Sequence, residues 1–207
     1  MTKRSGSVGG IVLCGGQSRR MGQPKEWLRF GDEYLLERVV RVVGEVARPV
    51  VAAGRSGQEL PKLPDGVTRV FDRPGQAGPL AGVAAGMAHL GDSCAAAVVV
   101  SCDVPLITAA FLRKLIHYLN DHPAVVPEHA GRLQSAIAVY RMSTRAMLED
   151  LLASGERRMQ AFVERCGTRV IPAELFRDVD PSLQSLINVN TPEEYHGAIA
   201  ALETGHG

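Results

Sequence analysis

The chain has few cysteines, and they show none of the spacings used by metal sites or disulfide scaffolds. Its four cysteines, Cys14, Cys94, Cys102 and Cys166, are scattered through 207 residues without a Cys-x-x-Cys pair. This pattern argues against both a zinc site and a disulfide framework. We therefore expect a reducing, cytoplasmic environment.

Long apolar runs and a strong net charge are also missing. No apolar run approaches the roughly 20 residues that cross a bilayer, and the polar residues 1–7 lack the hydrophobic centre of a signal peptide. The formal net charge is only +1, with 22% charged residues. Nothing global therefore draws the chain to nucleic acid or to an anionic membrane. We expect neither as a partner, and any cluster of cations must be local.

The length suits one domain. A chain of this size buries about 70% of its unfolded surface around a single core. It contains no internal repeat, heptad pattern, low-complexity segment or change of composition that would mark a second domain. We expect one domain over residues 1–207, with flexible tails at 1–7 and 203–207.

Short apolar runs bounded by glycine and proline alternate with amphipathic stretches along the chain. The runs predict strands at 8–13, 49–53, 67–71, 95–103, 124–127, 136–140, 168–171 and 186–189. The amphipathic stretches predict helices at 35–46 after an Asp32 cap, 78–90, 108–119, 144–153, 157–165 and 192–202. This alternation predicts a three-layer α/β fold with a doubly wound, mostly parallel, Rossmann-like sheet. In such sheets, ligands bind at the carboxyl ends of the strands.

The first predicted strand runs into a glycine turn that is followed by cations. Gly15 and Gly16 lack the Cβ atoms that would keep a ligand off the backbone, and Arg19, Arg20 and Lys25 add positive charge within reach of one loop. This combination suits a triphosphate. The spacing matches neither the P-loop nor the dinucleotide fingerprint. A strand-to-helix turn with solvated arginines is the alternative.

Two carboxylates follow predicted strands at the same edge of the sheet. Asp103 ends the most continuously apolar run, and Asp72 follows the strand at 67–71. A triphosphate carries about four negative charges, so carboxylates beside it imply an intervening divalent cation, and Mg²⁺ prefers carboxylate and phosphate oxygens. We predict Asp103 as the principal Mg²⁺ ligand. Each aspartate could instead be a turn former that binds nearby backbone N–H groups.

The loop sequence Leu13-Cys-Gly-Gly-Gln-Ser-Arg-Arg-Met-Gly-Gln-Pro-Lys25 resembles the signature of nucleotidyltransferases that activate phosphorylated metabolites. In its double-glycine form it is most similar to the molybdenum cofactor guanylyltransferases. The resemblance covers nearly all of residues 8–195. It extends to further motifs: Gly78-Pro-Leu-Ala-Gly82, Cys102-Asp-Val-Pro105, Gly155-Glu-Arg-Arg158 and Asn188-Val-Asn-Thr-Pro-Glu-Glu194.

This resemblance implies a nucleotidyltransferase fold and an activity. The reaction transfers GMP from GTP to the terminal phosphate of molybdopterin or the molybdenum cofactor, with Mg²⁺ as cofactor. Molybdoenzymes or their chaperones are the implied recipients of the product. The implied nucleotide-binding residues are Leu13, Cys14, Gly15, Gly16, Lys25, Asp72, Gly78 and Asp103. The implied catalytic residues are Arg19, Lys25 and Asp103, and those on the acceptor side are Gln134, Ser135, Arg157, Asn188 and Asn190.

The chain departs from the family pattern at several positions. Relatives usually have alanine at Cys14, asparagine at Gly54 beside Arg55, and an acidic residue at Pro24. A His-Pro pair on the pterin side corresponds to Gln134-Ser135.

Some of these residues also have plainer interpretations. Cys14 and Cys102 fit small buried apolar side chains better than nucleophiles. Asn188 and Asn190 could be turn residues ahead of a last helix that Thr191 caps.

Gly16 favours GTP, because relatives that transfer CMP usually carry an alanine there and a purine needs more room. The alternatives are a molybdenum cofactor cytidylyltransferase that uses CTP, a sugar-phosphate nucleotidyltransferase, and a non-catalytic nucleotide-binding partner of molybdoenzymes. Lys25 together with Asp103 favours an enzyme over a carrier, since a carrier could neutralise phosphate without a metal-holding carboxylate.

Overall fold

The computed structural model describes residues 7–15, 21–73 and 75–204. An eight-stranded sheet forms its centre, and a two-stranded ribbon lies beside it. The strands are β1 (Val8–Leu13), β2 (Arg29–Phe30), β3 (Glu33–Tyr34), β4 (Val50–Gly54), β5 (Val67–Phe71), β6 (Ala96–Ser101), β7 (Ala124–His129), β8 (Arg132–Leu133), β9 (Ile137–Arg141) and β10 (Arg169–Pro172). The α-helices are α1 (Leu35–Gly44), α2 (Pro79–Leu90), α3 (Ala109–Leu119), α4 (Arg145–Ala153), α5 (Met159–Arg165) and α6 (Pro192–Thr204).

The sheet has the strand order β10–β7–β9–β6–β1–β4–β5, with β8 paired to β7. Strands β6, β1, β4 and β5 are parallel to their neighbours in this run, whereas β9 is antiparallel to both β6 and β7. The register places Leu13 of β1 beside Ala53 of β4 and Ser101 of β6. The carboxyl ends of the parallel strands therefore meet at one edge, and the predicted mostly parallel α/β sheet is confirmed.

Helices cover both faces of the sheet because its central strands are apolar on both sides. On β6, Val98 and Val100 pack with residues of α1 and α3, while Ala97 and Val99 pack with residues of α2, α4 and α5. A third cluster joins α6 to the β2–β3 ribbon through Ala198 and its neighbours. The three predicted layers are thus present. None of the helices in the described part of the chain is long and apolar enough to cross a membrane.

The start of α1 differs from its prediction. Asp32 does not cap the helix, because it lies in the two-residue turn between β2 and β3. The helix begins after Tyr34, whose backbone N–H donates to the Glu37 carboxylate at 2.8 Å. This bond satisfies a backbone N–H group at the start of the helix that the helix itself leaves free.

The strand predicted at 186–189 is wrong. Residues Gln184–Leu186 form a 3₁₀ turn, and the chain then runs irregularly to α6. The carboxylate of Asp180 causes the turn by accepting hydrogen bonds from the backbone N–H groups of Gln184 and Ser185, at 3.0 and 2.8 Å. These local bonds compete with pairing to a strand.

Candidate active site

A cavity of about 280 Å³ opens at the carboxyl ends of β1, β4, β5 and β6. We call it the first cavity. It lies where a parallel α/β sheet binds its ligands. Gly16 and Arg19, also predicted for this site, lie outside the described residues. The predicted nucleotide residues that line it are Leu13, Cys14, Gly15, Lys25, Asp72, Gly78 and Asp103.

Lys25 and Asp103 come together from distant parts of the chain. The Lys25 Nζ atom lies 3.3 Å from Asp103 Oδ2 and donates to Asn190 Oδ1 at 2.7 Å. The side chains of Lys25 and Asp103 are 12% and 21% exposed. A cation in a partly dry site interacts strongly with anions. The Lys25 ammonium therefore connects three parts of the chain: its own segment before β2, the residues after β6, and the segment before α6.

Backbone hydrogen bonds hold Asp103 in place. The Asp103 carbonyl accepts from the Val189 N–H at 2.7 Å, and the preceding Cys102 N–H donates to the Leu13 carbonyl at 2.8 Å. On the far side, Arg38 of α1 donates to the Pro105 carbonyl at 2.5 Å. The Asp103 carboxylate is therefore presented by a fixed turn.

One oxygen of that carboxylate has no partner in the protein. Asp103 Oδ1 is buried and has no hydrogen bond within the described residues. A buried acceptor left without a donor costs free energy. Such an atom is suited to a ligand that enters the cavity, either a cation or a hydrogen-bond donor.

Asp72 has a structural contact at the same edge. Its side chain is buried, and Oδ1 accepts from the Ser56 backbone N–H at 2.7 Å. This bond joins Asp72 to a residue 16 positions earlier in the chain and not to its own turn, so the interpretation of Asp72 as a turn former stays a prediction. Its role in nucleotide binding stays a prediction, supported by its place in the lining of the first cavity.

The turn before α2 requires a glycine. Gly78 has φ +93°, and a Cβ there would lie 3.4 Å from the Arg157 carbonyl oxygen. Gly78 and Pro79 line the first cavity, so the positive end of the α2 dipole adjoins it. The Arg157 side chain is exposed and lines neither this cavity nor the next. Its backbone N–H binds the Glu156 carboxylate at 2.8 Å, which gives that motif a local structural role.

A second cavity of about 210 Å³ adjoins the first. Ser101, Asp103 and Ala136 line both cavities, so the two meet at the end of β6. The predicted acceptor residues that line the second cavity are Gln134, Ser135, Asn188 and Asn190.

The thiols at the site are buried and protonated. Burial, reinforced by the nearby Glu26 carboxylate, raises the pKa of Cys14 to about 12. Burial also raises the pKa of Cys102 far above its usual range. A nucleophilic cysteine needs a lowered pKa. The interpretation of both residues as small buried side chains is thus confirmed.

Sequence reasoning missed Glu26, Gln58 and Arg55. Glu26 is 3% exposed and lines the first cavity, as does Arg55. Gln58 Nε2 donates to Glu26 Oε1 and, at 2.8 Å, to the Cys14 carbonyl. The available signal was weak, because Glu26 merely follows Lys25 and Gln58 lies in a polar connector.

A cavity at the carboxyl edge of a parallel sheet that is lined by Gly15, Lys25 and Asp103 is typical of a nucleotide-binding α/β protein of the nucleotidyltransferase class. Residues 10–170 match the family described as "MobA-like NTP transferase domain". The chain belongs to this MobA-like NTP transferase family.

Named relatives cover nearly the whole chain. It is 34% identical over 193 residues to "Probable molybdenum cofactor guanylyltransferase" of Chloroflexus aggregans, covering 90% of this chain and 91% of that protein. It is 32% identical over 185 residues to the protein of the same name from Pelotomaculum thermopropionicum, covering 89% and 88%.

Solved structures share the fold. The molybdopterin-guanine dinucleotide biosynthesis protein A of Archaeoglobus fulgidus superposes with a TM-score of 0.78 at 25% identity, covering 94% of this chain and 98% of that one. The 2-C-methyl-D-erythritol 4-phosphate cytidylyltransferase of Thermus thermophilus gives 0.71 at 17% identity, covering 95% and 99%. The second likeness shows the fold alone.

Proposed function

We propose that this chain transfers GMP from GTP to the terminal phosphate of molybdopterin or the molybdenum cofactor. The observation that carries the proposal is the pair of cavities that share Asp103, with Lys25 in contact with that residue. One cavity can hold the nucleoside triphosphate, and the other can hold an acceptor that bears a phosphate. The names of the relatives support the choice of GTP and of this acceptor.

The reaction is an in-line substitution at phosphorus. An oxygen of the acceptor phosphate forms a bond to the α-phosphorus of GTP, while the bond from that phosphorus to the bridging oxygen breaks and pyrophosphate leaves with its electron pair. A phosphate monoester is already anionic and needs little help from a general base. Positioning and charge neutralisation therefore supply the catalysis.

Lys25 suits the neutralising role. Its Nζ atom lies beside Asp103 and Asn190, where the first and second cavities meet. An ammonium there can donate to the phosphate oxygens of either substrate. Arg19, which lies outside the described residues, is proposed as a second cation on the phosphates.

Mg²⁺ fits the carboxylate chemistry of the site. The buried, unpartnered Oδ1 of Asp103 is an oxygen ligand of the type that Mg²⁺ prefers. Within the described ranges, no three His, Cys, Asp or Glu side chains form a metal cluster, and Mg²⁺ at phosphates commonly uses only one or two carboxylates. When bound, the cation would neutralise charge on the triphosphate.

The second cavity suits a pterin acceptor because carboxamides line it. Gln134, Asn188 and Asn190 can each donate and accept hydrogen bonds, as the polar edge of a pterin requires. A further cavity of about 430 Å³, lined by Gln134, Asn188, Gln160 and Arg132 among others, offers room beyond it. The proposal places the reaction in a reducing cytoplasm, where the four buried free thiols persist.

The test is incubation with Mg²⁺, molybdopterin and each nucleoside triphosphate in turn, with release of pyrophosphate as the readout. We expect release with GTP that requires molybdopterin and stops when Mg²⁺ is chelated. Strong preference for CTP would replace the guanylyl assignment with a cytidylyl one. Binding of GTP without pyrophosphate release under any of these conditions would point to a non-catalytic carrier.

A further inference from the structure

The buried carboxylate of Glu26 lines the first cavity next to Lys25 in the sequence, but it has a different partner. As an anion, it attracts hydrogen-bond donors rather than the phosphate groups of a triphosphate. Its neighbour Lys25 contacts Asp103, whereas Glu26 contacts Gln58. The two adjacent side chains therefore serve different partners. Glu26 belongs with the part of the ligand that offers hydrogen-bond donors, and a nucleotide carries such donors on its base.

Gln58 positions this carboxylate. Its amide nitrogen binds both Glu26 and the Cys14 carbonyl, and its amide oxygen accepts from the Arg55 backbone N–H at 2.8 Å. Gly54 leaves the space for this side chain, since a Cβ at that position would lie 3.1 Å from Gln58 Oε1. Gln58 thus links Cys14, Glu26 and Arg55, and we call these four residues one wall of the cavity.

Arg55 supplies donors to the same wall. Its Nε is buried and has no hydrogen-bond partner in the part of the chain that the structure describes. The Arg55 side chain packs against Gly15, where a Cβ would lie 3.2 Å from Arg55 Cγ. The cavity therefore presents an acceptor-only carboxylate and an unpaired guanidinium donor.

We infer that Glu26 selects guanine, its carboxylate accepting hydrogen bonds from the base N1–H and 2-amino group, while Arg55 donates to O6 and N7. Guanine is the base that offers two adjacent donors beside two acceptors. Adenine and cytosine each present a ring-nitrogen acceptor where guanine presents N1–H, and a carboxylate has no proton to give it. This inference rests on the proposed function and adds a specificity residue to it.

Inosine triphosphate is the sharpest probe, since it differs from GTP only by lacking the 2-amino group. We expect the chain to bind GTP about 10- to 100-fold more tightly than inosine triphosphate, because hydrogen bonds to charged groups are strong. Glu26→Gln keeps the side-chain volume and can still accept from Gln58, but it exposes an N–H₂ group. It should bring the ratio of the two affinities to within about threefold of unity.

Two further variants separate the effect from general damage. Glu59→Gln changes an exposed glutamate one residue from Gln58 and should keep the wild-type ratio. Arg55→Gln should weaken both nucleotides to a similar extent, because both carry O6 and N7, and so should also keep that ratio. The dissociation constants of GTP and inosine triphosphate are measured for each variant by calorimetry in the presence of Mg²⁺. The measurement needs no molybdopterin, because it follows binding of the nucleotide alone.

The outcomes separate this inference from the proposed function. A chain that prefers GTP over CTP but binds inosine triphosphate equally well, or a Glu26→Gln variant that keeps the wild-type ratio, would overturn the role of Glu26 and leave the guanylyl assignment intact. A chain that prefers CTP over GTP would remove both. If Glu26→Gln does not fold, the wild-type ratio still decides.

Discussion

At the residue scale, the central feature of the site is the contact between a lysine and an aspartate. Lys25 lies 3.3 Å from Asp103, and both side chains are mostly buried. In a partly buried ion pair, the attraction between the two charges offsets part of the free energy that each loses with its hydration water. In the proposed function, phosphates would bind Lys25 and a cation would bind Asp103 at this same contact.

Asparagine at position 103 tests that organisation. Asp103→Asn keeps the shape of the side chain but removes the charge that would hold Mg²⁺ and pair with Lys25. By analogy with the loss of one preorganised electrostatic group, we expect kcat to fall by about 10²- to 10³-fold. The measurement is pyrophosphate release over a series of Mg²⁺ concentrations. Asp92→Asn, at an exposed position, is the control, and a wild-type Mg²⁺ response in Asp103→Asn would contradict the assignment.

Site residues could be predicted where their neighbours in the sequence form a recognisable motif. Asp103 lies two residues after the buried strand β6, and the structure places it with Lys25. In the sequence, Lys25 follows a glycine-rich segment. Glu26 and Gln58 were not predictable, because they acquire their surroundings only through a contact between residues 32 positions apart. No periodicity or spacing signals a pair whose members come from two polar connectors.

At the scale of elements, the approach of α2 to β1 depends on a glycine. A Cβ on Gly86 would lie within 2.8–2.9 Å of three side-chain atoms of Ile11. Real Cβ atoms do not come so close, so a larger residue would push the helix away from the sheet. Because the first turn of α2 lines the first cavity, this packing also positions the site.

Alanine substitutions at two helical glycines should have opposite effects. Gly86→Ala overpacks the α2–β1 contact and should lower the free energy of unfolding by about 1–3 kcal/mol. Gly197→Ala, at an exposed position of α6 with nothing within 4 Å of the new Cβ, should raise it by about 0.5–1 kcal/mol, because alanine favours helix. Urea unfolding followed by circular dichroism measures both. A neutral Gly86→Ala would mean that α2 shifts freely.

The elements themselves were largely predictable, and their exceptions have local causes. Amphipathic spacing located α1 and α3, and apolar runs located β1 and β6. The predicted strand at 186–189 failed because the Asp180 carboxylate binds the backbone just before it. Such side-chain capping leaves no signal in a pattern of apolar residues.

At the scale of the whole molecule, the order of the strands in the sheet could not be predicted from the sequence. Alternating elements predict a mostly parallel sheet, but they do not say that β9 inserts antiparallel between β6 and β7. That insertion brings Ala136, next to the start of β9, into the lining of both cavities. Motifs predicted residues that line the first cavity, whereas the shape of the second cavity depends on long-range pairing of strands.

The buried thiols make the stability of the whole fold sensitive to alkaline pH. The pKa of Cys14 is about 12 in the folded chain, against 9.0 without the protein environment, and the thiol is 1% exposed. The unfolded chain therefore loses this proton above about pH 9 while the folded chain keeps it. Folded-state stability is unaffected below that pH and falls as pH rises, by about 1.4 kcal/mol per pH unit for this one thiol.

Alanine at position 14 isolates this contribution, because other groups that titrate in the same range are common to both proteins. We expect the free energy of unfolding of the wild type to fall more steeply than that of Cys14→Ala between about pH 9 and pH 10.5, with a slope difference that rises from about 0.7 to about 1.4 kcal/mol per unit over that range. Urea titrations at each pH measure the free energy of unfolding of both proteins, from which the two slopes follow. The difference between the two free energies at about pH 7 provides the baseline. Equal slopes would show that the Cys14 thiol ionises as readily in the folded chain as in the unfolded one.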